Sequence, residues 1–124
     1  MITHKRATGD SGEEKAVEYL VSKGYSILER NFNTKFGEID IVARNPGGDI
    51  VFIEVKSVKK GSNILPEENI TFHKLRKLAK TVEMFMLARR ISPDQRWQMD
   101  SISVVFDDAS GGADIRHIEN INIR

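Results

Sequence analysis

The chain has 124 residues, of which 40% are hydrophobic and 30% charged, and its 19 basic and 18 acidic residues leave a formal net charge of +1. Such a length and composition suit one globular domain with a modest core, and the charge balance excludes an overall polycation, so a polyanionic partner would have to be met by local patches. There is no cysteine, and His4, His73 and His117 lie far apart in sequence, which excludes disulfides and thiolate chemistry and gives no zinc-ligand spacing. No apolar run approaches the roughly 20 residues of a membrane span, and Met1–Asp10 has no apolar signal-peptide centre, so a cytoplasmic protein with no membrane association is expected.

Hydrophobic periodicity predicts helix, three strands, helix and two strands. The first helix is expected from about Ser11 to Lys23, with Ser11 and Glu14 forming a capping box and Gly24 as its stop. Ala16, Val17, Leu20 and Val21 make its apolar stripe. Tyr25–Phe32 reads as the first strand and Glu38–Arg44 as the second. The turn signal Asn45-Pro46-Gly47-Gly48-Asp49 then folds Ile50–Ser57 back as a hairpin partner. Lys59–Asn69 reads as a loop. Phe72–Arg90 carries the helical stripe Leu75, Leu78, Ala79, Val82, Phe85 and Met86. Trp97–Phe106 and Ile115–Ile121 read as the last strands, joined across Ser110-Gly111-Gly112. The expected class is α/β in one domain, 1–124.

Chemistry enters with charged residues inside apolar runs. Ile39, Ile41, Val42 and Ala43 on one strand, and Val51, Phe52 and Ile53 on the next, mark a sheet covered on both faces, yet Asp40, Glu54 and Lys56 interrupt them. Burying a lone carboxylate costs several kcal/mol, so such residues ask for a partner or a cation. Strand alternation puts Glu54 and Lys56 on one face, and Asp40 lies beside Glu54 if the hairpin register agrees. Two close carboxylates either take up a proton or capture a cation, and oxygen ligands favour Mg²⁺ or Mn²⁺. Lys56 is then placed to hold an attacking water or to stabilise phosphate charge. On the first helix, Glu13 falls near the centre of the apolar stripe and points at the sheet, whereas Glu14 lies towards its edge.

Each residue also has a plainer reading. Glu54 and Lys56 suit a solvated pair on an exposed sheet face, Asp40 a turn or edge residue, and Glu13 a first-turn residue favoured by the helix dipole. Lys59 and Lys60 continue the strand that carries Lys56 and are candidate phosphate contacts. Arg76, Lys77 and Lys80 lie opposite an apolar stripe, as any solvated helix face would. Trp97, Met84 and Met86 read as packing residues and Asp100 as structural.

Gly37-Glu38-Ile39-Asp40-Ile41-Val42-Ala43 with Val51-Phe52-Ile53-Glu54-Val55-Lys56 resembles the YraN family of uncharacterised bacterial proteins. Gly12-Glu13-Glu14-Lys15-Ala16, Tyr19-Leu20, Arg30-Asn31 and His117-Ile118 extend the resemblance over nearly the whole chain. That family is similar to archaeal Holliday-junction resolvases, of the PD-(D/E)xK type. The resemblance implies a restriction-endonuclease-like three-layer α/β/α fold with a mixed central sheet. It further implies an Mg²⁺- or Mn²⁺-dependent endonuclease acting on DNA, possibly branched, and a possible homodimer. Carried over, Asp40 and Glu54 would be metal ligands, with the Val55 carbonyl as a further one. Lys56 would be the catalytic lysine and Glu13 an additional acidic residue. Ile39 replaces the proline of the superfamily motif. Lys74 is a phosphate-contact candidate on the second helix, followed by Leu75 where some members pair a basic residue with glutamine. The alternatives are a non-catalytic nucleic-acid-binding module of the same fold, and a scaffold whose ionisable groups form a salt-bridge network.

Overall fold

The computed structural model describes residues 4–61 and 71–121, with side chains from Ser11 onward. The elements are α1 (His4–Ser22), β1 (Ser26–Thr34), β2 (Gly37–Arg44), β3 (Ile50–Lys59), α2 (Phe72–Ala88), β4 (Trp97–Asp107) and β5 (Gly112–Ile118). The predicted order is therefore observed. Two elements are displaced by three residues or more. α1 begins at His4 rather than Ser11, because His4–Asp10 contains no proline and a start signal at Ser11 cannot end a helix already running. β5 begins at Gly112 rather than Ile115 and ends at Ile118, because a tight turn with Gly111 N–H on Asp107 C=O brings the chain straight back into pairing. The predicted loop lies mostly at 62–70, outside the described residues.

The five strands lie in sequence order, β1-β2-β3-β4-β5. The β1/β2, β2/β3 and β4/β5 pairs are antiparallel, and β3 and β4 are parallel, joined by the crossover through α2. The Asn45–Asp49 turn closes the β2–β3 hairpin with Asn45 N–H on Asp49 C=O and Gly48 N–H on Asn45 C=O.

Both sheet faces are covered, which is why the central strands are apolar on both sides. α1 lays Ala16 and Leu20 on Ile41, Ala43, Val51, Ile53, Ile102 and Val104. α2 lays Val82 and Phe85 on Ile39, Val42, Ile50, Phe52 and Met99. Gly12 sets the depth of α1: a Cβ there would overlap the Ser57 hydroxyl of β3. α2 starts at an N-cap in which the Thr71 side chain accepts from Lys74 N–H. Trp97 meets Phe52 edge-on at 5.8 Å while remaining 42% exposed, which makes it a packing residue at the rim, and Met84 is 38% exposed.

Candidate metal centre

The β2/β3 ladder runs from Arg44↔Ile50 to Ile41↔Ile53. One step further, the same register sets Asp40 across from Glu54. There the strands part, and the Asp40 carboxylate takes the place of the missing ladder partner: Val55 N–H donates to Asp40 Oδ2 at 2.7 Å. A strand residue's N–H and C=O point to the same neighbour, so the Val55 carbonyl faces the same gap. The seam between β2 and β3 thus gathers a carboxylate, a backbone carbonyl and the base of Glu54.

From the α2 side, Lys74 Nζ meets Glu54 Oε1 at 2.7 Å; the side chains are 35% and 16% exposed. Lys56 lies beside Lys74. Burial lowers the pKa of the Lys56 ammonium, the adjoining Lys74 lowers it further, and Glu54 opposes the fall. For Lys74 burial pulls downward, but its bond to Glu54 and the Glu54 charge outweigh it and the pKa is raised. From the α1 side, Glu13 is 14% exposed and meets Arg30 at 3.5 Å, whereas Glu14 is 61% exposed and takes Arg30 at 2.7 Å. Asn31 lies in mid-strand with φ 56°, a left-handed conformation that asparagine tolerates. With its amide nitrogen turned inward it donates to both Glu13 oxygens at 3.3 Å.

Asp40 is where these groups act on one another. Burial raises its pKa; the Val55 N–H opposes the rise, and Glu38 and Glu13 add to it, leaving it at about 8. Such a carboxyl holds a proton at neutral pH unless a cation takes its place. The donors at the seam are carboxylate and carbonyl oxygens, the hard set that suits Mg²⁺ or Mn²⁺.

Contacts thus link Asp40 to Val55, Glu54 to Lys74 and Lys74 to Lys56, and the charge of Glu13 acts on Asp40. Lys59 and Lys60 stand apart from these: they lie at the far end of β3, beside Asp108 at 3.9 Å and Asp107 at 3.5 Å. Sequence reasoning left out Glu38, Arg30 and Asn31 as parts of the site. The Arg30-Asn31 pair was visible only as a dipeptide.

A second polar cluster lies under α1. Asp100 is buried, and its Oδ1 accepts from Gln98 Nε2 and Asn120 N–H at 2.9 Å each. Its Oδ2 is 2.7 Å from His117 Nε2, and His117 Nδ1 is 2.9 Å from the Tyr19 hydroxyl. Asp100, His117 and Glu119 have ligand atoms within 4.8 Å of one another, so by spacing this group could hold a metal ion. As it stands, His117 Nε2 faces Asp100 and Nδ1 faces the Tyr19 hydroxyl, which occupies both ring nitrogens. Burial, then the charges of Glu119 and Asp100, raise the Tyr19 pKa and keep its hydroxyl protonated for that bond. The cluster ties α1, β4 and the end of β5 together, consistent with a structural Asp100.

Element order, a helix on each face and a mixed five-stranded sheet define a three-layer α/β/α domain. The chain belongs to the uncharacterised protein family UPF0102, the YraN family, whose profile matches residues 12–105. A UPF0102 protein of Desulforamulus reducens is 36% identical over 97% of this chain and 98% of its own. One of Persephonella marina is 46% identical over 90% of each chain. One of Caldicellulosiruptor saccharolyticus is 41% identical over 94% of this chain and 98% of its own. Among solved structures, an EndoMS-dsDNA2 complex is similar with a TM-score of 0.39 and 16% identity over 71% of this chain; the match spans 34% of that chain.

Proposed function

We propose that the protein is a divalent-metal-dependent nuclease that hydrolyses phosphodiester bonds in DNA, at branched or other non-duplex structures. The observation that carries this reading is the seam itself: Asp40 stands in for a ladder partner on Val55 N–H, one step from Glu54, with an amine of β3 and one of α2 beside it. Asp40, Glu54, the Val55 carbonyl and Glu13 are the groups that would hold Mg²⁺ or Mn²⁺. When bound, the ion supplies Lewis-acid chemistry, polarising a water and the scissile phosphate. The protein's own residues do the rest. Asp40 would have to give up its proton to hold such an ion. Lys56, uncharged more readily than an ordinary lysine, takes a proton from the attacking water or donates to the phosphate. Lys74 offers ammonium donors to a phosphate oxygen. Lys59 and Lys60 contact flanking phosphates, since exposed ion pairs such as theirs are worth about 1 kcal/mol or less.

The test is cleavage of end-labelled duplex, single-stranded, forked and four-way DNA with Mg²⁺ or Mn²⁺. Cleavage is expected on at least one branched substrate, and Asp40→Asn and Glu54→Gln should each lower it roughly 100-fold or more. Undiminished cleavage in both variants would reject the assignment. The alternative, a non-catalytic nucleic-acid-binding module, is favoured by the Glu54–Lys74 and Glu13–Arg30 contacts, which satisfy both acids without an ion. It requires metal-independent binding and no cleavage of any substrate.

The reading places the protein in the cytoplasm with DNA. Among the described residues no helix is long and apolar enough to cross a membrane. A homodimer fits the exposed Leu87 and Trp97, which flank an apolar groove lined by Val82, Met86 and Ile91. Sedimentation should then give twice the monomer mass, and a monomer at micromolar concentration would remove the dimer.

A further inference from the structure

We infer that Lys74 is a built-in counter-ion that occupies Glu54 until a divalent cation and a DNA phosphate arrive together, so that metal and DNA binding are coupled through this one side chain. The inference rests on the nuclease reading above and deepens it. Lys74 does not lie on the solvated face of α2 with Arg76, Lys77 and Lys80. It reaches across from the helix to the sheet and meets Glu54 Oε1 at 2.7 Å. The first turn of α2 holds it there, because Thr71 caps the backbone N–H of Lys74 itself. That cap fixes where the side chain starts.

The charges make the consequence. Glu54 pairs with Lys74 and its charge acts on Lys56, and Lys56 and Lys74 adjoin each other. A divalent ion on Glu54 competes with Lys74 for the same oxygens and adds two positive charges beside two amines. Metal alone is therefore opposed. A phosphate changes the balance: the Lys74 ammonium has three donors and a flexible stem, and can leave Glu54 for a phosphate oxygen. The anion both receives the displaced lysine and screens it from the ion. By linkage, DNA must then tighten the metal and metal must tighten DNA by the same factor.

The test is calorimetric titration of the whole protein with Mn²⁺, with and without a short single-stranded oligonucleotide bearing a non-hydrolysable linkage. Lys74→Met should bind Mn²⁺ roughly tenfold more tightly than wild type, at the low end of what outer-sphere partners contribute to metal affinity. Lys74→Arg, which keeps the cation, and Lys77→Met, which removes an exposed charge from the same helix, should bind as wild type does. The oligonucleotide should tighten Mn²⁺ binding in wild type and leave it unchanged in Lys74→Met. Lys74→Met binding no tighter than wild type, while Asp40→Asn abolishes binding, would overturn the inference and leave the nuclease reading standing. Equal Mn²⁺ binding by wild type and Asp40→Asn would overturn both.

Discussion

Asp40 keeps a proton up to about pH 8 because burial outweighs the one N–H it accepts from Val55. Its folded pKa lies above the unfolded value near 4, so its contribution to stability is fully present below about pH 4 and is lost as pH rises through 8. Urea denaturation in EDTA should show this loss between pH 5 and pH 8.5, and Asp40→Asn, which keeps an acceptor for Val55 N–H, should flatten it. An Asp40→Asn profile identical to wild type would assign the pH dependence elsewhere. Asp100 is buried as well, with Gln98 Nε2 and Asn120 N–H donating to Oδ1 and His117 Nε2 at 2.7 Å from Oδ2. Asp100→Ala strands those donors and should cost about 3–5 kcal/mol by chemical denaturation. A loss under 1 kcal/mol would show that the cluster does not hold the fold. Asp40, Glu54 and Glu13 stand out in the sequence because a charge inside an apolar run breaks a pattern. Glu38 and Arg30 break none, since both sit at positions where an exposed charge is ordinary.

At the scale of elements, the approach of α1 to β3 places Glu13 at the seam, and Gly12 permits that approach. Alanine is better than glycine in a helix by about 1 kcal/mol, yet Gly12→Ala should destabilise by about 1–3 kcal/mol through overlap with Ser57. Ser57→Ala should recover part of that loss, measured as a double-mutant cycle; a stabilising Gly12→Ala would show that α1 has room to spare. The strands and α2 were legible because period-2 and period-3.6 patterns are strong and their turns carry glycine and asparagine. Lys74 was not legible as a partner of Glu54. Helical spacing separates it from the apolar stripe only by azimuth, and the reach of a lysine from helix to sheet depends on packing depth. The start of α1 escaped for a different reason: a capping pattern marks where a helix can begin, not where it must.

For the molecule as a whole, the proposed reading makes metal binding and folding one equilibrium. A cation that binds only the folded chain stabilises it by about 2.7 kcal/mol at a hundred times its dissociation constant. Binding must also displace the Asp40 proton, so Mn²⁺ affinity should rise with pH up to about 8 and each ion bound below that pH should release a proton. Calorimetry in two buffers of different ionisation enthalpy would detect that proton, and its absence would place the ion away from Asp40. The sheet order and the meeting of α1, β2, β3 and α2 at one seam could not be read from any single segment, because they follow from which strands pair. The resemblance supplied only the three-layer α/β/α arrangement with a mixed sheet.

The most direct measurement is an anomalous difference map from a crystal of the protein with a short single-stranded oligonucleotide bearing a non-hydrolysable linkage, soaked in Mn²⁺. A peak in the gap bounded by Asp40, Glu54 and the Val55 carbonyl is the predicted result. A peak only at Asp100, His117 and Glu119, or none at all, would contradict the account.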